Sequence, residues 1–172
     1  GVDIPKLEYI VFLRPVKSRI LFEQMLGRGT RLAPEINKTH FTVFDCFDGT
    51  LLDYFRQASE KDPHYSLAYA GMADCYAVLS GIEFRPRDAM PKAKAAAKKA
   101  LEIDAHLAEA HTSLAFVNLR YEYDWAAAER EFQQAIQLDP NYATGHRWYF
   151  FYLAAMERVE EGIREMKRAQ EL

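Results

Sequence analysis

The chain has 172 residues, a formal net charge of −3 and a sequence pI of about 6.0. That balance gives no global electrostatic attraction to nucleic acid or an anionic membrane. Hydrophobic residues make up 49%, enough for a packed core, yet no apolar run approaches the roughly 20 residues needed to cross a bilayer.

The N-terminus GVDIPKLEYI lacks the basic and apolar regions of a signal peptide. Leu7–Phe12 (LEYIVF) reads as a short buried strand, Ser18–Leu26 as a helix with Ile20, Leu21 and Met25 on one face, and His40–Phe47 as a second strand. This is the β-α-β order of a parallel sheet, too small to stand comfortably alone. Cys46 and Cys75 are far apart and form no C-x-x-C. That argues against a disulfide framework or a zinc site and for a reducing, cytoplasmic setting.

Two motifs belong to this unit: Gly1-Val2-Asp3-Ile4-Pro5 precedes the first strand, and Gln24-Met25-Leu26-Gly27-Arg28-Gly29-Thr30-Arg31 closes the helix. They resemble motifs V and VI in the second RecA-like domain of superfamily 2 helicases and translocases. With GRGTRL followed by THFTVFDCFDGTLLDYF, residues 1–55 resemble the motor subunit of type I restriction enzymes. The resemblance implies that Gln24, Arg28 and Arg31 face ATP across an interdomain cleft, with the guanidinium groups matched to phosphate oxygens. It also implies that Gly1 and Asp3 couple the nucleotide to the DNA strand. Phosphoryl transfer further needs a G-x-x-x-x-G-K-[ST] loop and an acidic magnesium ligand, and neither is found in the sequence. No catalytic residue, metal or cofactor is therefore expected, ATP and magnesium entering only if a first motor domain is supplied. The plain alternative for the Gly-Arg turn is a solvated helix C-cap. Phe47–Asp53 (FDGTLLD) resembles the nucleophile loop of haloacid dehalogenase-type phosphatases. Cys46 stands where that motif needs its first Asp, and Asp45 is one residue out, on the other side of a strand.

Leu51–Lys61 reads both ways. LLDYF continues the restriction-subunit likeness, whereas Phe55, Ala58 and Asp62-Pro63 suit the end of a repeat helix, which places a join within Leu52–Gln57. The chain begins inside one motif and stops before a further Asp-Pro, the pattern expected of an excised or chimeric segment.

From there paired helices are expected. Tyr69, Met72, Ala73 and Tyr76 precede Ala93, Ala97 and Ala100; His111, Leu114 and Ala115 precede Ala128, Phe132 and Ala135; His146, Tyr149, Phe150 and Leu153 precede Gly162, Met166 and Ala169. Positions 63, 105 and 140 close the units at spacings of 42 and 35. Against a 34-residue pattern the first unit thus carries an insertion of about eight residues. It is placed in Ser80–Met90, where Gly81, Pro86 and Pro91 are expected to break helix. Asp62-Pro63 and Asp139-Pro140 read as N-caps with N1 prolines, and Asp88 and Asp124 as caps of second helices.

This pattern resembles tetratricopeptide (TPR) arrays. YSLAYAGMADCYAVL and AEAHTSLAFV further resemble TPR tails of bacterial regulators and signalling proteins. The predicted fold is mostly α: a TPR α-solenoid of three helix-turn-helix units over 51–172, behind a β-α-β remnant of a RecA-like domain over 1–50. The resemblance implies that the first helices line a concave groove holding a peptide or partner helix. By repeat position the groove set is Asp74, Ala77, Thr112, Phe116, Arg120, Arg147, Phe151 and Ala155. Phe116 and Phe151 read as apolar anchors or as plain core, and Arg120 and Arg147 as partners of acidic groups. Where the family's carboxylate clamp has Lys and Asn, this chain has Ala70 and Asp74, which argues against a chaperone-tail ligand.

His106 and His111 are five residues apart, out of alignment for a shared metal on a helix. His111 and His146 share a repeat position and are expected to pack. Lys92, Lys94, Lys98 and Lys99 read as a solvated face. Trp148–Tyr152 is apolar enough to need cover from residues 159–172 or from another chain, which raises self-association through the C-terminal repeat. The function predicted is a non-catalytic protein-interaction scaffold. The alternative is a fragment of an ATP-dependent DNA translocase, inactive without its first motor domain. Neither a membrane nor a nucleic acid partner is expected for this chain alone.

Overall fold

The computed structural model describes the backbone at residues 9–12 and 42–45 and the chain from residue 50 to 172, with side chains from residue 51. Two compact units are present, Gly1–Tyr54 and Phe55–Leu172. In the first, strand β1 (Tyr9–Phe12) pairs in parallel with β2 (Thr42–Asp45), Tyr9 opposite Thr42 and Phe12 opposite Asp45. Parallel pairing requires a crossover connection. The helix expected at Ser18–Leu26 lies outside the described residues, as do Gly1, Asp3, Gln24, Arg28 and Arg31.

Residues 50–172 are helical: α1 (Thr50–Lys61), α2 (Ser66–Leu79), α3 (Pro86–Ile103), α4 (Ala108–Val117), α5 (Trp125–Leu138), α6 (Ala143–Ala155) and α7 (Val159–Glu171). A π-helical turn, Asn118–Glu122, extends α4. Three hairpins, α2/α3, α4/α5 and α6/α7, stack in chain order. Alanine makes the close approach possible within the first two hairpins, and Gly162, against Phe150 and Leu153, within the third. Ala73, Ala93, Ala97, Ala115 and Ala128 are fully buried, where any larger side chain would push the axes apart. The larger volume sits between hairpins, in a continuous cluster running from Ala77 and Met90 through Phe132 to Trp148, Tyr149 and Leu153. Within this unit the ring of Phe55, on α1, abuts Gly71; a Cβ there would lie 2.5 Å from ring atoms. The Ser59 hydroxyl adds a contact with Met72 Sδ at 3.8 Å.

The joints between hairpins repeat. Asp62, Asp104 and Asp139 each close the preceding helix, donating their N–H to the carbonyls of Ala58, Ala100 and Ala135. Each carboxylate then accepts the N–H two residues on, from His64, His106 and Asn141, at 2.9 Å. These are Asx turns. They correct the expected N-cap role of Asp62-Pro63 and Asp139-Pro140, because α2 and α6 begin only at Ser66 and Ala143. Asp124 does cap α5, accepting from Ala127 N–H at 2.9 Å. Asp88 does not cap α3; it lies inside that helix and accepts from Arg85 Nε at 3.0 Å.

The turn within each hairpin also repeats. Gly81, Tyr123 and Glu157 all take the left-handed conformation, with φ of 84°, 57° and 61°. They are 42 and 34 residues apart, so the extra residues of the first unit follow Gly81. They form a longer loop and an N-terminal extension of α3. Pro86 is the first residue of that helix and breaks nothing. Pro91 lies within it, again against expectation. Buried Ala89 and Met90 before it and buried Ala93 after it hold the helix through the one hydrogen bond that proline removes.

Candidate protein-interaction groove

The first helices α2, α4 and α6 lie side by side, so residues at matching repeat positions line up across them. Asp74, Phe116 and Phe151 each stand eleven residues past positions 63, 105 and 140. Along this face runs a depression of about 520 Å³ whose lining includes Val78, Ile82, Phe116, Arg120, Trp148 and Phe151. Large apolar side chains are left in solvent there: Phe151 is 46% exposed, Val78 52% and Ile82 81%. Phe116 is half-buried, its ring centroid 4.5 Å from that of Trp148. The Arg120 guanidinium sits 5.8 Å from the Phe116 centroid and makes no ion pair among the described residues.

Of the predicted groove set, Phe116, Arg120, Phe151 and Ala77 line this depression. Thr112 does not belong to a binding surface. It is fully buried, with its hydroxyl near Gly145, because α4 and α6 approach closely at that level. Asp74 is also withdrawn, half-buried beneath Ser113 and Tyr142. Arg147 is exposed and acts on Asp74 electrostatically. Ala155 is exposed and outside the lining. Sequence reasoning missed Val78, Ile82 and Trp148. The available signal was the 42-residue spacing, since the lengthened loop carries Gly81 and Ile82 to the rim.

Burial dominates Asp74, pushing its carboxyl up to about 7 against the opposing pull of Ser113, Tyr142 and Arg147. Ser113 has one hydroxyl proton and two oxygen neighbours, the Asp74 carboxyl and the Glu109 carbonyl at 3.1 Å. A protonated Asp74 satisfies both: it donates to Ser113 Oγ, and Ser113 donates to Glu109. Burial next to Asp74 also pushes the Tyr142 hydroxyl well above its ordinary value.

The two repeat histidines are structural bridges. His111 Nδ1 meets Glu131 at 2.6 Å and Nε2 meets the Ala105 carbonyl at 3.1 Å. His146 repeats this with Glu165 at 2.6 Å and the Pro140 carbonyl at 3.0 Å. Each ties the first helix of its unit to the second and to the Asx turn. Among the described residues no three His, Cys, Asp or Glu side chains come together as a metal site. The lysines of α3 are largely engaged: Lys94 with Glu122 at 3.0 Å, Lys99 with Glu102 at 3.1 Å and Lys92 over the Tyr76 ring.

Stacked hairpins with their first helices side by side define a TPR-like α-solenoid. The solved structures agree. TTC0263, a thermophilic TPR protein of Thermus thermophilus, superposes with a TM-score of 0.57 at 18% identity, over 70% of this chain and 62% of its own. The structure of MamA does so with a TM-score of 0.51 at 18% identity, over 70% of this chain and 67% of its own. The N-terminal part has a different relative: the type I restriction enzyme EcoKI endonuclease subunit of Escherichia coli (strain K12) is 69% identical over 48 residues. The match covers 28% of this chain and 4% of that protein. No protein-family model matches the chain. Among the described residues no helix is long and apolar enough to cross a membrane.

Proposed function

We propose that residues 55–172 form a non-catalytic protein-interaction scaffold that holds an extended peptide or partner helix against α2, α4 and α6. The observation that carries this reading is the exposure of Phe151, Val78 and Ile82 around one depression, with Arg120 beside them. Apolar anchors flanked by an unneutralised guanidinium suit a ligand that presents bulky side chains next to a carboxylate. The scattered cysteines fit a reducing, cytoplasmic setting.

Selection from a random dodecapeptide display library, followed by calorimetric titration of the winning peptide, tests the proposal. The expected consensus has an acidic residue next to aromatic or branched ones. Phe151→Ser and Arg120→Glu each weaken binding by about tenfold, on the order of 1.4 kcal/mol. Binding that neither change affects would remove the groove from consideration.

The 69% identity over 48 residues supports a second reading for the N-terminal segment. In it, Gly1, Asp3, Gln24, Arg28 and Arg31 keep a nucleotide-facing role inherited from a RecA-like motor domain, one that needs a first motor domain to supply the phosphate loop and magnesium ligand. On the scaffold reading, ATP with magnesium leaves the melting temperature of this chain unchanged. A rise that disappears in Arg28→Ala would favour the motor reading over the scaffold.

A further inference from the structure

The hairpins differ in what covers their second helix. In α5, Phe132 is fully buried, its ring centroid 5.5 Å from that of Tyr149 and 6.1 Å from that of Tyr152. Glu129 accepts from Tyr149, Tyr152 and Arg158 of the next hairpin. Helix α7 repeats α5 thirty-four residues later: Gly162 stands for Ala128, and Glu165 holds His146 as Glu131 holds His111. In that register Ile163 and Met166 replace Glu129 and Phe132. No further hairpin among the described residues covers them. Ile163 is 46% exposed, Val159 one turn earlier is 53% exposed, and Met166 is only half-buried.

Val159, Ile163, Met166 and Gln170 follow the 4-3-4 spacing of a coiled-coil seam. Glu160 and Lys167 flank that seam on the same side, one heptad apart. Both are exposed and make no ion pair among the described residues. A parallel copy would set Glu160 and Lys167 against Ala155 and Gly162 across the seam and leave both charges without a partner. An antiparallel copy sets Glu160 against Lys167 twice and Ile163 against Met166 twice. The helix is thus complementary to itself in one orientation only.

We infer that α7 is a self-association surface, on which a second copy of this chain docks antiparallel across a two-fold axis through Val159, Ile163 and Met166, with Glu160 facing Lys167 of the second copy.

Sedimentation equilibrium of the full chain from micromolar to submillimolar concentration is the test. The expected result is a monomer–dimer equilibrium weakened at least tenfold by Ile163→Arg, and likewise by Glu160→Lys or Lys167→Glu alone. Mixing the Glu160→Lys and Lys167→Glu chains restores a heterodimer, and the double swap restores the homodimer; misfolded variants could do neither. A monomer at every concentration overturns the inference. So does a dimer insensitive to the charge changes, or single variants that fail to recover on mixing.

Discussion

Asp74 carries a pH-dependent liability. In the unfolded chain its carboxyl loses its proton near the usual 3.8, whereas in the folded chain it holds that proton to about 7. Over that window the folded state binds more proton than the unfolded one, so this group's contribution to stability falls as pH rises and levels off above about 7. Asp74→Asn keeps a donor toward Ser113 and removes the charge. We expect it to raise the melting temperature at pH 8 by several degrees, corresponding to about 2 kcal/mol, and to change little at pH 4. Differential scanning calorimetry at the two pH values reads this directly; a variant less stable than the parent at pH 8 contradicts a carboxyl raised by burial. A second residue-scale prediction concerns Glu157, exposed and held at φ 61°. A left-handed backbone disfavours any side chain with a Cβ, and the first hairpin uses Gly81 at the equivalent turn. Glu157→Gly is expected to stabilise the chain by about 0.5–1 kcal/mol in urea titrations. The reverse change, Gly81→Ala, is expected to destabilise it by a similar amount.

At the scale of the element, the second and third hairpins are each held by a bridge that simple apolar patterning does not describe. Burial by itself would lower the His111 pKa. Its hydrogen bonds to Glu131 and to the Ala105 carbonyl outweigh that and raise it. Both ring nitrogens face acceptors, so the imidazolium is the form that fits. A raised folded-state pKa means the bridge contributes fully below His's ordinary 6.5 and loses that contribution as pH climbs through the folded value. His111→Gln should therefore cost about 1 kcal/mol at pH 6 and less at pH 8.5 in chemical denaturation. An equal cost at both pH values would mean that the ring's shape, not its charge, does the bridging. The Asx turns act at the same scale. Asp62, Asp104 and Asp139 end one helix and hold the backbone open before the next, which is why the following helix starts later than an N-cap would allow.

For the molecule as a whole, the decisive feature is that one apolar cluster runs through all three hairpins of residues 55–172. Stacked repeats draw stability from their neighbours, so a defect in the middle is felt at both ends. Phe132→Ala removes a fully buried ring at the α5/α6 contact and should cost about 3–5 kcal/mol. Hydrogen exchange on that variant is expected to accelerate in α2 and α6 alike, and loss confined to α5 would argue for independent hairpins. The repeat itself is legible in the sequence because packing enforces it: close helix contacts admit only small side chains, and Ala73, Ala93, Ala115 and Ala128 mark those contacts by type alone. The 42-residue spacing likewise places the enlarged turn after α2. Thr112 defeats such reading because repeat position tells which way a residue points but not how near the next helix comes. Asp74 defeats it because its partners, Ser113 and Tyr142, belong to two other hairpins.

The sequence by itself determined helical periodicity, repeat register, the points where small residues are obligatory, and the likeness of the N-terminal segment to a type I restriction enzyme subunit. These are local or periodic properties, written in spacing and residue type. The tertiary structure alone decided that Asp74 is drawn beneath Ser113 and Tyr142, that Thr112 is buried against α6, and that Ile163 on α7 is uncovered among the described residues where the matching face of α5 is covered. Each of those depends on which side chains of distant hairpins meet, and that follows from the stacking distance and angle of helices rather than from the order of residues along any one of them.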